Sequence, residues 1–146
     1  MRKFGFLIIL LLLIGCEKPK QDEDSSVIGE WRLTKGTVND GSGDLVTVLA
    51  HDSLYINLLL RDDNTFTWIE MGVFHEEEIV ANHDWYLEGG YIYLGSTVSE
   101  NDEEIVYFPH EYDVSAEQLI LIRDDSWVQE SGELRVWIIT FYFDRQ

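Results

Sequence analysis

The chain has 146 residues, with 10 Lys and Arg against 28 Asp and Glu, a formal net charge of −18. A surface that acidic repels phosphate backbones and anionic headgroups, which excludes nucleic acid as a partner. Yet 45% of the residues are hydrophobic and the chain holds 5 Trp and 7 Tyr, so it carries a core and is not a disordered acidic tail.

The N-terminus reads as an export signal. Met1-Arg2-Lys3 is a short basic region, and Phe4 to Ile14 is apolar except for Gly5. That run matches the apolar region of a signal peptide and falls short of the roughly 20 residues a spanning helix needs. It ends in Leu13-Ile14-Gly15-Cys16, which resembles a bacterial lipobox. The resemblance implies a diacylglycerol on the Cys16 thiol, cleavage before it, and a soluble domain held on the membrane by acyl chains. Each buried methylene contributes about 0.8 kcal/mol to such anchoring. The alternative is an uncleaved signal anchor with an incidental cysteine. Cys16 is the single cysteine of the chain, so no internal disulfide is available and the core alone must hold the fold. Residues 1–15 are thus the expected signal peptide. Residues 16–26 form a polar, acidic tether containing Pro19, with nothing to bury. Lys18 and Lys20 followed by Asp22-Glu23-Asp24 resemble the signals that send Gram-negative lipoproteins to the outer face of the outer membrane; a plain solvated linker is the other reading. The expected location is the outer membrane, periplasmic or surface-exposed. Loss of Arg2 and Lys3 with the leader leaves 8 basic against 28 acidic residues, a balance of −20.

Residues 27–146 read as one domain of consecutive short strands. Val27 to Val38 contains Ile28-Gly29-Glu30-Trp31-Arg32-Leu33. Asn39 to His51 is ambiguous, with Leu45 to Leu49 either strand or short helix. Leu54, Ile56, Leu58 and Leu60 alternate with Tyr55, Asn57, Leu59 and Arg61, a strand period. Asp62-Asp63-Asn64 turns the chain into Thr65-Phe66-Thr67-Trp68-Ile69, giving a hairpin. Trp85 to Leu94 is a second hairpin, with Gly89-Gly90 supplying positive φ at its turn. Ile105 to Val114 and Leu119 to Arg123 make a third, turning at Ser115 to Gln118, and Leu134 to Asp144 is the last strand. No segment shows a sustained helical period. Eight or nine antiparallel strands at regular spacing predict an all-β, up-and-down barrel, with a two-sheet sandwich as the alternative. Closure removes the sheet edges such a chain would otherwise present.

Gly29-Glu30-Trp31 opening the first strand resembles the Gly-X-Trp signature of lipocalins. The resemblance implies that Trp31 closes one barrel end under an arginine of the last strand. In an even-stranded barrel the last strand runs antiparallel to the first, which selects Arg145 over Arg135 as that arginine. Asp62-Asp63-Asn64-Thr65-Phe66 is similar to the "D-G-T-F" hairpin of lipocalin-like domains in small bacterial lipoproteins, with Asn64 in place of Gly. Asn tolerates the left-handed conformation. Trp85 to Leu94 and Tyr112 to Leu121 resemble the next two hairpins of those domains. The likeness spans Val27 to Arg145 and implies a fold; it does not imply a particular ligand.

Candidate chemistry is sparse. His51-Asp52-Ser53 holds the letters of a catalytic triad, but neighbours on a strand point to opposite faces. His75-Glu76-Glu77-Glu78 lacks the spacing of a zinc helix. His83-Asp84 and His110-Glu111 likewise alternate faces. No catalytic residue, metal ligand or cofactor is expected, and an enzyme is not expected. The strand periods put Leu54, Ile56, Leu58, Phe66, Trp68, Trp85, Leu87, Trp137, Ile139 and Phe141 inside, with Glu70 the one clear charged exception, near a mouth. Phe66, Trp68, Trp85, Trp137 and Phe141 either line a cavity or simply fill the core. An eight-stranded barrel has room for packed side chains or one small ligand. The expected interior is a small, mostly apolar cavity without convergent polar groups. Two functions follow: a lipid-anchored lipoprotein binding a small apolar ligand, or an acidic interaction or inhibitor module for a basic protein of the cell envelope.

Overall fold

The computed structural model describes residues 26–42, 44–72, 76–97 and 104–146. The expected leader, Cys16 and nearly all of the tether lie outside the described residues, as does His75. Within them the chain is all strand and turn. The elements are β1 (Gly29–Asn39), β2 (Leu45–Leu49), β3 (Tyr55–Leu60), β4 (Thr65–Met71), β5 (Ile79–Glu88), β6 (Tyr91–Thr97), β7 (Ile105–Val114), β8 (Gln118–Asp124), β9 (Trp127–Val128), β10 (Leu134–Arg135) and β11 (Ile138–Arg145).

Successive strands pair antiparallel from β3 to β8; β8 pairs with β11, and β11 with β1. β1 in turn pairs with β3, so the ring β1-β3-β4-β5-β6-β7-β8-β11 closes into an up-and-down barrel of eight strands. No open edge runs around this ring. The two-period pattern of the sequence explains the interior. Along β3 and β11 every second residue is buried, so Ile56, Leu58 and Leu60 face Ile139, Phe141 and Phe143 across one lumen.

Local chemistry makes the turns. At β3–β4, Asn64 takes φ 64° and its N–H donates to the Arg61 carbonyl, while the Asp63 carboxylate accepts from the N–H and the hydroxyl of Thr65. At β5–β6, Gly89 and Gly90 sit at φ 60° and 90°, the pair of positive values that a two-residue type I′ hairpin requires.

The structure settles the ambiguous stretch and departs from the sequence expectation at three places. The ambiguous stretch is strand β2, which pairs with the C-terminal half of β1 while β3 pairs with its N-terminal half. The change of partner occurs at a bulge at Thr34, whose carbonyl accepts the Ala50 N–H and whose hydroxyl donates to the Tyr142 carbonyl. The last strand is split: β10 belongs to a small hairpin with β9, and β11 starts only at Ile138. Trp137, expected inside, is 38% exposed there, because its backbone bonds to Asp125 and Ser126 where that hairpin leaves the barrel. Leu87, also expected inside, is 46% exposed. Its rung pairs with Ile92 on one side only, since β4 begins at Thr65, opposite Asp84.

Candidate functional site

The two ends of the barrel are built differently. At the end where β1 begins, Trp31 pairs in register with Arg145 of β11, and the guanidinium carbon lies 4.4 Å from the indole ring centre. The Trp31 Nε1–H donates to the Val27 carbonyl (2.8 Å), and an Arg145 Nη2–H donates to the Ser26 carbonyl (2.7 Å). Gly29 has φ 151°, and a Cβ there would meet the Arg145 guanidinium at 3.5 Å and the Trp31 indole nitrogen at 3.7 Å. Those are ordinary contact distances, so glycine is favoured here by the backbone conformation; Trp31 beside it is fully buried. Trp85 plugs the neighbouring β3–β4 turn, donating its indole N–H to the carbonyls of Thr65 (3.1 Å) and Arg61 (3.2 Å).

Towards the opposite end the lumen is not filled. A cavity of about 380 Å³ lies among Phe66, Trp68, Ala81, Leu94, Phe108 and Phe141, with Glu70, His110, Arg123 and Ser96 also on its wall. A second pocket, about 200 Å³, lies on the far side of Phe141 and is bordered by Leu33, Val48, Leu54 and Trp137. Of the expected lining residues, Phe66, Trp68 and Phe141 border the larger cavity and Trp137 the smaller one. Trp85 borders neither and belongs to the packed end.

The polar groups on the larger cavity correct the expectation of a wall without convergent polarity. Glu70 is only 6% exposed, and its Oε2 accepts the Trp68 Nε1–H at 2.7 Å. Trp68 is fixed on its other side by edge contacts with Phe141 and Phe143. His110 is 3% exposed, and its Nδ1–H donates to the Phe108 carbonyl at 3.0 Å. A carbonyl only accepts, so in this contact Nδ1 carries the proton. Burial, and then the Arg123 charge, hold the His110 pKa down at about 4, against the opposing pull of the Phe108 and Ile92 carbonyls and Asp125. Arg123 itself binds Asp125 through Nε (2.8 Å) and Nη2 (2.6 Å).

Sequence reasoning noticed Glu70 but missed Arg123 and the burial of His110. The signal was present in β8, where Arg123 keeps phase with buried Leu119 and Leu121. The wall does not assemble a serine–histidine pair. His110 is in register with Ile92, and Ser96 lies four residues further along β6, roughly 13 Å at ~3.3 Å per residue. His51 and Ser53 belong to the exposed turn between β2 and β3, where His51 Nδ1 accepts the Ser53 N–H. Among the described residues no group of three or more His, Cys, Asp or Glu is placed to hold a metal ion. Compared with known proteins, the chain matches no protein-family model and no curated protein.

Proposed function

We propose that the chain is a lipid-anchored lipoprotein of the cell envelope whose lipocalin-like barrel holds one small, largely apolar ligand. The observation that carries the ligand reading is the cavity of about 380 Å³, open to one side and bordered by Phe66, Trp68, Leu94, Phe108 and Phe141. Binding sites for small molecules typically measure about 300–1,000 Å³ and combine an apolar wall with a few polar groups. The lipocalin-like part is supported by the closed eight-strand ring and by Gly29, Trp31 and Arg145 meeting at its packed end. The anchoring part is supported by Leu13-Ile14-Gly15-Cys16 after its apolar run. In this reading Cys16 carries the lipid in the outer membrane, and the acidic surface keeps the barrel in solution beyond the tether.

Nile red, an uncharged apolar dye, tests the cavity. The full chain should enhance its emission, and Ala81→Trp, which fills the wall opposite Phe141, should abolish the enhancement while leaving the fold intact by circular dichroism. A wild-type chain that leaves the emission unchanged contradicts the ligand reading. For the anchor, cells expressing Cys16→Ala should release the protein from the membrane fraction; a variant that stays there places the anchor elsewhere.

A second reading, an acidic module for a basic protein, is favoured by one surface feature. On the outer face of β5–β7, Tyr86 stacks on Tyr93 (4.6 Å between ring centres) and meets Tyr107 edge-on, and Tyr91 on the same face donates to Glu111. Aromatic rings beside carboxylates suit Arg and Lys side chains. Salt-sensitive binding of an oligo-arginine peptide, lost in Tyr86→Ser, would favour this reading over the first.

A further inference from the structure

Strand β2 lies outside the closed ring. Among the described residues it pairs with β1 and with no strand on its other side. One hydrogen bond sets the direction of its backbone groups. The Ala50 N–H donates to the Thr34 carbonyl, so Ala50 turns its backbone polar groups towards β1. Those groups alternate in direction along an antiparallel ladder. Val48 and Val46 therefore also bond to β1, while Leu45, Thr47 and Leu49 aim their N–H and C=O groups outward. Natural edges of this kind carry a charge, a proline or a bulge that turns a second strand away. Strand β2 carries none of these: its sequence is Leu-Val-Thr-Val-Leu, it runs in unbroken register along β1, and every residue of it is exposed.

That sequence reads the same in both directions about Thr47, the pattern in which a strand and its own antiparallel copy match residue for residue. We infer that the edge of β2 pairs with the edge of β2 in a second copy of this chain, about a two-fold axis at Thr47. This is the self-complementary contact of a symmetric dimer. In this register Thr47 meets the copy's Thr47, and Leu45 meets the copy's Leu49. These are the residues whose N–H and C=O groups point outward, so each pair exchanges both hydrogen bonds. Val46 and Val48 of the two copies meet on the other face. Sliding the copies by two residues unpairs the strand ends and sets Leu against Thr. The register also keeps charge apart in a chain whose formal charge is −18. Asp44 falls opposite the copy's Ala50, and the two Asp44 residues lie roughly 20 Å apart along the strands, beyond the ~8 Å screening length. The seam is shorter than a standard interface of ~1,600 Å², so the pairing is weak in dilute solution and gains where chains share a surface.

Disulfide trapping in intact cells expressing the full chain tests the register. A bridge needs Cα atoms about 4.4–6.8 Å apart, and a hydrogen-bonded antiparallel pair holds them at about 5.5 Å. Thr47→Cys should therefore give a disulfide-linked dimer under mild oxidation, well above the wild-type chain, whose one thiol is Cys16. Leu45→Cys and Leu49→Cys should each fail alone, because each lies roughly 13 Å from its own counterpart, and should cross-link when co-expressed. Thr47→Pro, carried by both chains, removes an outward N–H without touching the ladder to β1. It should abolish the mixed cross-link and leave the circular dichroism spectrum unchanged. If Thr47→Pro disrupts the fold, Thr47→Lys retains the N–H, opposes two like charges across the axis and should lower the cross-link in the same way. A Thr47→Cys chain no more dimeric than the wild type overturns the inference. So does Leu45→Cys alone cross-linking as fully as Thr47→Cys, which would mark chance collision rather than a fixed seam.

Discussion

Trp31 is the residue on which the packed end depends. Its ring is covered by the Arg145 guanidinium, its N–H is taken by the Val27 carbonyl, and Gly29 beside it adopts a positive φ that L side chains rarely take. Trp31→Ala should lower stability by about 3–5 kcal/mol, the usual cost of truncating a buried Trp. Arg145→Met, which keeps much of the bulk, should cost less, since guanidinium–indole stacking contributes about 0.5–2 kcal/mol. Urea denaturation of the two variants reads both, and a Trp31→Ala loss below about 1 kcal/mol would contradict the packing described. This trio was legible in the sequence because Gly29-Glu30-Trp31 resembles a known Gly-X-Trp signature, which implies a capping arginine, and antiparallel closure selects Arg145. His110 was not, because its burial depends on what β6 and β8 place beside it. Its folded pKa of about 4 lies below the ordinary 6.5, so the unfolded chain takes up a proton first as pH falls. Stability from this group is complete above the unfolded value and is lost as pH drops from 6.5 towards 4, by about 3 kcal/mol in all. Against His110→Gln measured in parallel, the wild-type chain should lose about 2–3 kcal/mol more between pH 7 and pH 4.5. Parallel slopes for the two would show that His110 titrates as an ordinary surface histidine.

At the scale of elements, alternation located the strands of the ring but misjudged those that extend beyond it. Ile56 and Leu58 of β3 and Phe66, Trp68 and Glu70 of β4 share the lumen face that a period of two assigns them, while Leu54 precedes β3 and sits in the turn bridged to His51. The period is only informative where one face is buried and the other is wet. β2 has no such contrast. Leu45 and Leu49 are 61% and 66% exposed, and all five residues of the strand face solvent to a large degree. Its ladder to β1 exists because β1 outruns β3 past the Thr34 bulge. Among the described residues no strand pairs with its other side, the arrangement that natural sheets protect with charge. Placing Lys at both Leu45 and Leu49, which point outward opposite Asn39 and Lys35, should shift stability by no more than about 0.5 kcal/mol and reduce aggregation at high concentration. Light scattering during concentration and a urea titration check this together. A large loss of stability would mean that β2 is packed rather than exposed.

The whole molecule joins a packed end to a hollow one. Closure was legible because strand number, hairpin turns and the Trp31–Arg145 match all point to the same ring. The polar wall of the cavity was not, because it is made by β4, β7 and β8 together, and strands four places apart share no pattern that a linear reading can align. Side-chain bulk alone left open whether Phe66, Trp68 and Phe141 line a cavity or fill the core; they border the cavity, with Trp68 tied to Glu70 and packed edge-on against Phe141. The central claim is that this barrel carries one small molecule in that space. Native mass spectrometry of the full chain released gently from its own cell envelope tests it most directly. The wild-type chain should appear as a species heavier by a single small, largely apolar molecule, absent from Ala81→Trp prepared in the same way. An unladen wild-type chain, or an adduct that survives Ala81→Trp unchanged, would contradict it.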